Sequence, residues 1–311
     1  MSAAPVTLAI PCRTDEPDLR RTLDAAWAGL AAARVPVATL VCLNGPQPDA
    51  CRARDDLTAA ARAAGRPLAS VDLDSAREPA SSVPPDAILV LATARAGKAI
   101  AWNALRTRTS TERVVFLDAD VGLGRDAIGL LLDALAAHPS AVLASPKTTC
   151  APRPTLFEAV MAAPYGVDFP NLSGQLYAAR TAGLPARMPE DLIEPERWLE
   201  LEVGRERMVR EPAATVVVRL PGTIRDFYRQ RVRIEMGKVQ LAADYPGLAA
   251  RGNAQPRLRA ALRSLSPGAF LRLVAYLVLR ESAHVVARRR YRRHATDGVW
   301  IQARSTKEWS S

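Results

Sequence analysis

Aromatic residues are scarce in this chain, 5% of its 311 positions, and it has only three histidines and four cysteines. The cysteines (Cys12, Cys42, Cys51, Cys150) form no Cys-x-x-Cys pair and, with so few histidines, match no zinc spacing. This argues against a zinc module or a disulfide scaffold and leaves reduced thiols as the simplest expectation. No apolar run reaches the ~20 residues a bilayer span needs. The longest, Ala269 to Leu279, is short and interrupted by Arg272. The opening stretch MSAAPVTLAIPC has no basic region ahead of a long apolar core, so no signal peptide is expected and the expected location is the cytoplasm. Tyr276, Tyr291, Trp300 and Trp309 form no stacking motif for RNA or DNA, so no nucleic-acid partner is expected.

What the chain does have is apolar mass and an uneven charge. Apolar residues make up 49% of the sequence, enough for a full core. The net charge of +10 sits entirely in residues 251–311, which hold 13 Lys and Arg against 3 Asp and Glu; the first 250 residues are balanced, 29 against 29. A local basic excess suits an anionic partner or forms a solvated face.

Short apolar runs alternate with helical patterns. Strands are expected at Val6–Ile10, Val37–Leu43, Pro67–Leu73, Ile88–Leu91, Arg113–Leu117, Ala141–Ser145 and Thr215–Leu220. Helices are expected at Asp15–Ala33, Asp49–Ala64, Lys98–Arg108, Asp126–Ala137, Glu190–Val203 and Thr223–Ala243. In the first helix Leu19, Leu23, Ala26, Trp27 and Leu30 share one face. This alternation predicts an α/β fold with a mainly parallel sheet. Residues 146–188, rich in Pro and Gly, read as irregular substrate-binding loops. Helices over Arg257–Ser264 and Pro267–Arg293 and a last strand at Val299–Arg304 complete the expectation.

The tetrad Leu117-Asp118-Ala119-Asp120 ends one of the buried runs. Two carboxylates one residue apart at the carboxyl end of a strand suit a hard divalent cation, Mg²⁺ or Mn²⁺, that also holds substrate phosphates. Alone the pair is equally a turn or a helix cap. It is joined by Gly97-Lys98-x-x-Ala101-x-Asn103, Ser173-Gly174-Gln175-Leu176-x-x-x-Arg180, Pro189-Glu190-Asp191 and Gln230-x-x-Arg233-Ile234.

In this order, over about residues 5 to 240, the set resembles the inverting family-2 glycosyltransferases of GT-A fold, in the branch of the cellulose, hyaluronan and chitin synthases and their non-processive relatives. The resemblance implies a catalytic domain over 1–243 that transfers one sugar from a nucleotide-sugar, a UDP-sugar by family habit, to an acceptor hydroxyl. It implies that Asp120, with Asp118, holds Mn²⁺ or Mg²⁺, and that Asp118 contacts the ribose or the metal shell. Asp191 matches the general base, with Glu190 its rival; both could instead begin a helix. Gln230 and Arg233 match the diphosphate contact, Lys98 a phosphate contact or helix cap, and Gly174 a close backbone approach to the donor sugar; Ser173, Gln175 and Arg180 are weaker candidates.

Two departures stand out. Ile234 replaces the usual tryptophan, which argues for a single transfer per acceptor. Asn44, in Leu43-Asn44-Gly45-Pro46, replaces the usual base-reading aspartate, though an amide can still hydrogen-bond a pyrimidine edge.

Residues 244–311 are expected to form a helical basic appendage. Phe270, Val274, Leu277, Val278 and Val285 run along one side of the 267–293 helix, ahead of Arg288-Arg289-Arg290-Tyr291-Arg292-Arg293. This fits contact with an anionic membrane at its inner face, with a lipid-linked acceptor. It fits equally a helix packed on the catalytic domain, with a soluble acceptor. Arg304 and Lys307 could close a lid, and His294 is a weak metal candidate. The rival readings are a nucleotidyltransferase, which would ordinarily carry a glycine-rich loop where Pro11-Cys12-Arg13-Thr14-Asp15 stands, and a non-catalytic homologue that binds membrane or nucleic acid.

Overall fold

In a computed structural model the described residues are 4–47, 51–75, 83–151, 155–166, 171–251 and 265–293. The expected helix at 257–264, the strand at 299–304, and His294, Arg304 and Lys307 lie outside them. The strands are β1 (Val6–Arg13), β2 (Val37–Asn44), β3 (Leu68–Asp72), β4 (Ile88–Thr93), β5 (Arg113–Leu117), β6 (Gly122–Leu123), β7 (Leu143–Cys150), β8 (Leu176–Arg180) and β9 (Met208–Val218). The helices are α1 (Leu19–Ala32), α2 (Arg52–Ala64), α3 (Lys98–Arg108), α4 (Ala127–Ala137), α5 (Leu156–Ala162), α6 (Pro195–Val203), α7 (Ile224–Asp244), α8 (Pro246–Arg251) and α9 (Pro267–Arg292).

The strands form one sheet in the order β3-β4-β2-β1-β5-β8-β7-β9-β6. The first five are parallel. Strands β1, β2 and β4 are almost wholly buried, as their continuous apolar runs require. The five apolar residues on one face of α1 are all buried.

The chain leaves β1 toward β2 on one side and later returns to β5 on the other. The β1/β5 edge is therefore the topological switch point, where α/β sheets open a crevice at the strand ends. Pro11 is tolerated beside it. The Val6 amide bonds Pro36 on the β2 side, and the Thr7 amide bonds Thr111 on the β5 side. By alternation, position 11 faces β5, but pairing with β5 stops at Ala9↔Phe116, so the missing N–H breaks no ladder bond there.

The remaining strands depart from the expected pattern. Residues 146–188 are not one irregular stretch: β7 runs on to Cys150, and both α5 and β8 lie within them. Strand β8 pairs antiparallel with β5 and β7. Its Leu-Tyr-Ala-Ala-Arg sequence is short and alanine-rich, and long-range pairing rather than propensity makes it a strand. Strand β9 begins at Met208, seven residues before the expected start, and runs through Pro212. Its neighbour β6 pairs only at Val216 and Val217, so Pro212 removes no bond on that side. Helix α6 starts at Pro195, not at Glu190; proline is well suited to a first helical position.

The described chain divides into two compact units. The first comprises the described residues within 1–147, 172–191 and 203–217; the second comprises those within 148–171, 192–202 and 218–293. In the second, α9 lies along α7. Met161, Leu220, Phe227, Leu273 and Tyr276 form one apolar cluster, and Val232, Met236, Ala283 and Ala287 form another.

Candidate active site

The first unit holds Asn44, Lys98, Asp118, Asp120, Gly174, Glu190 and Asp191, together with the weaker candidates Ser173, Gln175 and Arg180. Asp118 and Asp120 follow the last residue of β5, on a half-buried turn at the switch-point end of the sheet. The Lys98 ammonium, at the start of α3, lies 2.7 Å from Asp118 Oδ1, and both side chains are mostly buried. The same Nζ donates to the Gly174 carbonyl at 3.0 Å, and the Asp118 amide donates to the Gln175 carbonyl at 2.8 Å.

Antiparallel pairing explains this meeting. Leu176 of β8 pairs with Leu117, so Gly174 and Gln175 arrive beside the aspartates, whereas Arg180 pairs with Arg113 at the opposite end of the sheet. Arg180 therefore stands apart from the aspartates. Its guanidinium donates to the Ala141 and Leu135 carbonyls.

Asp118 and Asp120 are oxygen donors on a single turn, and a cationic side chain already holds Asp118. Among the described residues no three His, Cys, Asp or Glu side chains come together as a metal site. The donor set fits a hard divalent ion that completes its shell with substrate oxygens and water, and does not fit a closed protein cage. Arg21, which the sequence reading did not single out, points to the same place. It donates to the Val121 carbonyl at 3.4 Å. Burial lowers the pKa of its guanidinium, against the opposing pull of Asp18, Asp120 and Glu16.

Asn44 closes β2 and is 2% exposed. Its Nδ2 donates to the Gly97 carbonyl at 2.8 Å, which fixes the amide orientation. Gly97 supplies that carbonyl from a backbone at φ 153°, in the region glycine favours. Asn44 Oδ1 is buried without a hydrogen-bond partner among the described residues. An orphan buried acceptor costs about 1–3 kcal/mol unless a donor reaches it.

The neighbouring strand end is tied down around it. Gln47 Nε2 donates to the Thr93 carbonyl at 3.0 Å, and Asp74 accepts from the Thr93 hydroxyl and the Ala94 amide at 2.8 and 2.6 Å. Those two bonds hold the Asp74 carboxyl below its usual range.

Glu190 and Asp191 sit on a turn that ends four residues before α6. The alternative that they merely begin a helix does not hold. Glu190 is clasped by Arg95 and Arg187, and the Arg95 hydrogen bond is the main reason its carboxyl is held below the usual range. Asp191 is exposed.

The turn is anchored by a residue whose role the sequence reading missed. Asn103 Nδ2 donates to the Met188 carbonyl and the Met188 amide donates to Asn103 Oδ1, both at 2.9 Å and both buried. One helix, α3, thus holds Asp118 through its first residue and the Glu190 turn through its sixth. Only the position of Asn103 inside the Gly97-Lys98 motif hinted at this.

Gln230 and Arg233 belong to α7 in the second unit, both half-buried, and Arg233 pairs with Glu194 at 3.9 Å.

No protein-family model matches the chain, and no curated protein matches it in sequence. Solved structures do resemble it. One is a mannosyltransferase from Pyrobaculum calidifontis in complex with GDP-Man and Mn²⁺. It is 20% identical, over 93% of this chain and 88% of that one, with a TM-score of 0.59. Another is a glucosyl-3-phosphoglycerate synthase from Mycobacterium tuberculosis in complex with Mn²⁺, UDP-glucose and phosphoglyceric acid. It is 14% identical, over 82% of each chain, with a TM-score of 0.50. At these identities the likeness is one of architecture: the chain has the GT-A fold of these glycosyltransferases.

Proposed function

We propose that this chain is a metal-dependent, non-processive glycosyltransferase of the family-2 type, moving one sugar from a nucleotide-sugar to an acceptor hydroxyl with inversion. The observation that carries the reading is the convergence of Lys98, Asp118 and Gly174 at the switch point of a GT-A sheet. Both structures cited above hold a nucleotide-sugar and Mn²⁺.

In this reading Asp120, with Asp118, holds Mn²⁺ or Mg²⁺. When bound, the ion supplies Lewis-acid neutralisation of the charge that builds on the leaving diphosphate. Lys98 keeps Asp118 oriented and adds positive charge at the same place. Gln230 and Arg233 supply further diphosphate contacts, as the resemblance implies.

Asn44 Oδ1 reads the base by accepting an N–H. Uracil N3–H and guanine N1–H fit, but so do the exocyclic amines of cytosine and adenine, so the acceptor alone does not choose the base and the preference for uracil comes from the resemblance. A UDP-sugar remains the preferred donor, and GDP belongs in the same assay.

Asp191 is the general base. Glu190, held ionised by two guanidiniums, is the poorer proton acceptor. Inversion follows from a single displacement in which Asp191 takes the acceptor proton as the acceptor oxygen attacks the anomeric carbon. Residues 1–243 carry this chemistry in the proposal, and 244–311 serve the acceptor side or a surface. The absence of an aromatic residue at Ile234 supports one transfer per acceptor.

The test is calorimetric titration with UDP and GDP, with and without Mn²⁺, on the wild type and Asp120→Ala. Metal-dependent binding that Asp120→Ala abolishes is expected. Nucleotide binding indifferent to Mn²⁺ and to Asp120→Ala, or no binding of either nucleotide, would overturn the proposal.

A further inference from the structure

Helix α9 has two apolar faces, and the fold uses one. Leu273, Tyr276, Ala283 and Ala287 are buried in the two clusters shared with α7. On the opposite side Phe270, Leu271, Val274, Val278 and Val285 are 44, 67, 40, 64 and 49% exposed. Residues 271, 274, 278 and 285 follow helical spacing along one line. The same line continues through Arg288, Arg289 and Arg292, all exposed.

Four of the five residues in the sequence-derived stripe are therefore on the surface. The exception is Leu277, which packs against the first cluster. Contiguous large apolar side chains on an otherwise polar surface mark an interaction site.

The charge on the helix selects the partner. Its one acid, Glu281, falls on the same line between Val278 and Val285 and is paired with its neighbour Arg280 at 2.5 Å, so the two leave no net negative charge on the helix. Arginine is otherwise the only ionised residue type on the exposed stripe, with Arg288, Arg289 and Arg292 at one end. An apolar line ending in a basic cluster complements a surface with an anionic headgroup layer over hydrocarbon. No helix among the described residues is long and apolar enough to cross a membrane, so such a helix would lie along the surface.

We infer that the exposed face of α9 docks the protein on an anionic lipid bilayer, with the Phe270–Val285 stripe entering the headgroup boundary and the terminal arginines on acidic headgroups. The inference goes beyond the proposed chemistry and does not depend on it.

The test is co-sedimentation of the full chain with phosphatidylcholine vesicles with and without 30% phosphatidylglycerol, as a function of salt. Binding to the anionic vesicles that weakens with salt is expected. Each arginine near an anionic surface is worth about fivefold in partition, so Arg288→Glu/Arg289→Glu/Arg292→Glu should weaken it by at least about a hundredfold. Leu271→Glu/Val278→Glu should weaken binding by an effect that salt does not reproduce. Circular dichroism and the thermal midpoint of both variants serve as the fold check, and nucleotide titration of the same samples separates a failure of this inference from a failure of the catalytic reading.

No binding to anionic vesicles at low salt overturns the inference, as does equal binding by wild type and variants. A wild-type dimer that Leu271→Glu/Val278→Glu converts to monomer in sedimentation equilibrium, with no vesicle binding, would assign the face to a second copy instead.

Discussion

Replacing Asn103 with alanine should weaken the fold and slow the chemistry while leaving nucleotide binding intact. The side-chain amide makes two buried hydrogen bonds to Met188, one to its carbonyl and one from its amide, both at 2.9 Å. Asn103 is 7% exposed and Met188 2%, so water cannot readily replace the lost partner. Each backbone group left unpaired costs about 1–3 kcal/mol, which puts the loss for the two at about 2–6 kcal/mol. That is a large share of the roughly 5–15 kcal/mol that holds a typical domain folded.

The functional consequence follows from position. Met188 is two residues before Glu190 and three before Asp191, so releasing it frees the turn that carries the proposed general base. A displacement of about 1 Å can cost about a hundredfold in rate. Lys98, Asp118 and Asn44 do not depend on this anchor. Urea denaturation, Mn²⁺-dependent nucleotide titration and turnover, measured on the same preparation, test the argument together. Unfolding free energy within about 0.5 kcal/mol of wild type, or unchanged turnover, would refute it.

Two further predictions concern the turn itself. Asp191→Asn should keep donor affinity and lower turnover by about 10²- to 10⁴-fold, while Glu190→Gln should lower it far less; normal turnover by Asp191→Asn in a steady-state assay would remove the base assignment. Glu190 also makes a pH prediction. Its carboxyl is held low in the folded state by Arg95 and Arg187, so its stabilisation is present above the ordinary carboxylate range and is lost as pH falls through the folded value. The partners are largely exposed, which makes the effect small. Thermal midpoints of wild type and Glu190→Gln should differ near neutrality and converge in acid, and a gap that widens on acidification would contradict the ion-pair account.

Most of the parallel half of the sheet was legible because β1, β2, β4 and β5 are largely apolar runs set among helical patterns, an arrangement with few physical alternatives. Asp118 and Asp120 were legible for the same reason: a strand end in such a sheet is where ligands collect. Strand β8 was not legible. Nothing local distinguishes Leu-Tyr-Ala-Ala-Arg from a loop until β5 and β7 offer their edges, and Pro212 hid the first half of β9 by resembling a break.

These misses matter for the site, because the antiparallel reversal carries its geometry. Lys98 and Gly174 are 76 residues apart in sequence, and Asn103 and Met188 are 85 apart. Their meetings depend on β8 running back along β5. A short motif marks residues that share a purpose only when the topology between them is known. Ser173-Gly174-Gln175 and Arg180 looked like parts of one motif, yet the strand between them carries them to opposite ends of β5. The departure at Asn44 carries the same lesson. At the level of residue type, an amide in place of a carboxylate offers a base edge both a donor and an acceptor. In the fold its nitrogen is spent on Gly97, which fixes its oxygen as a pure acceptor. Toward the N–H of a base, that is the half of the amide equivalent to the carboxylate it replaces, so recognition can survive the substitution without the charge.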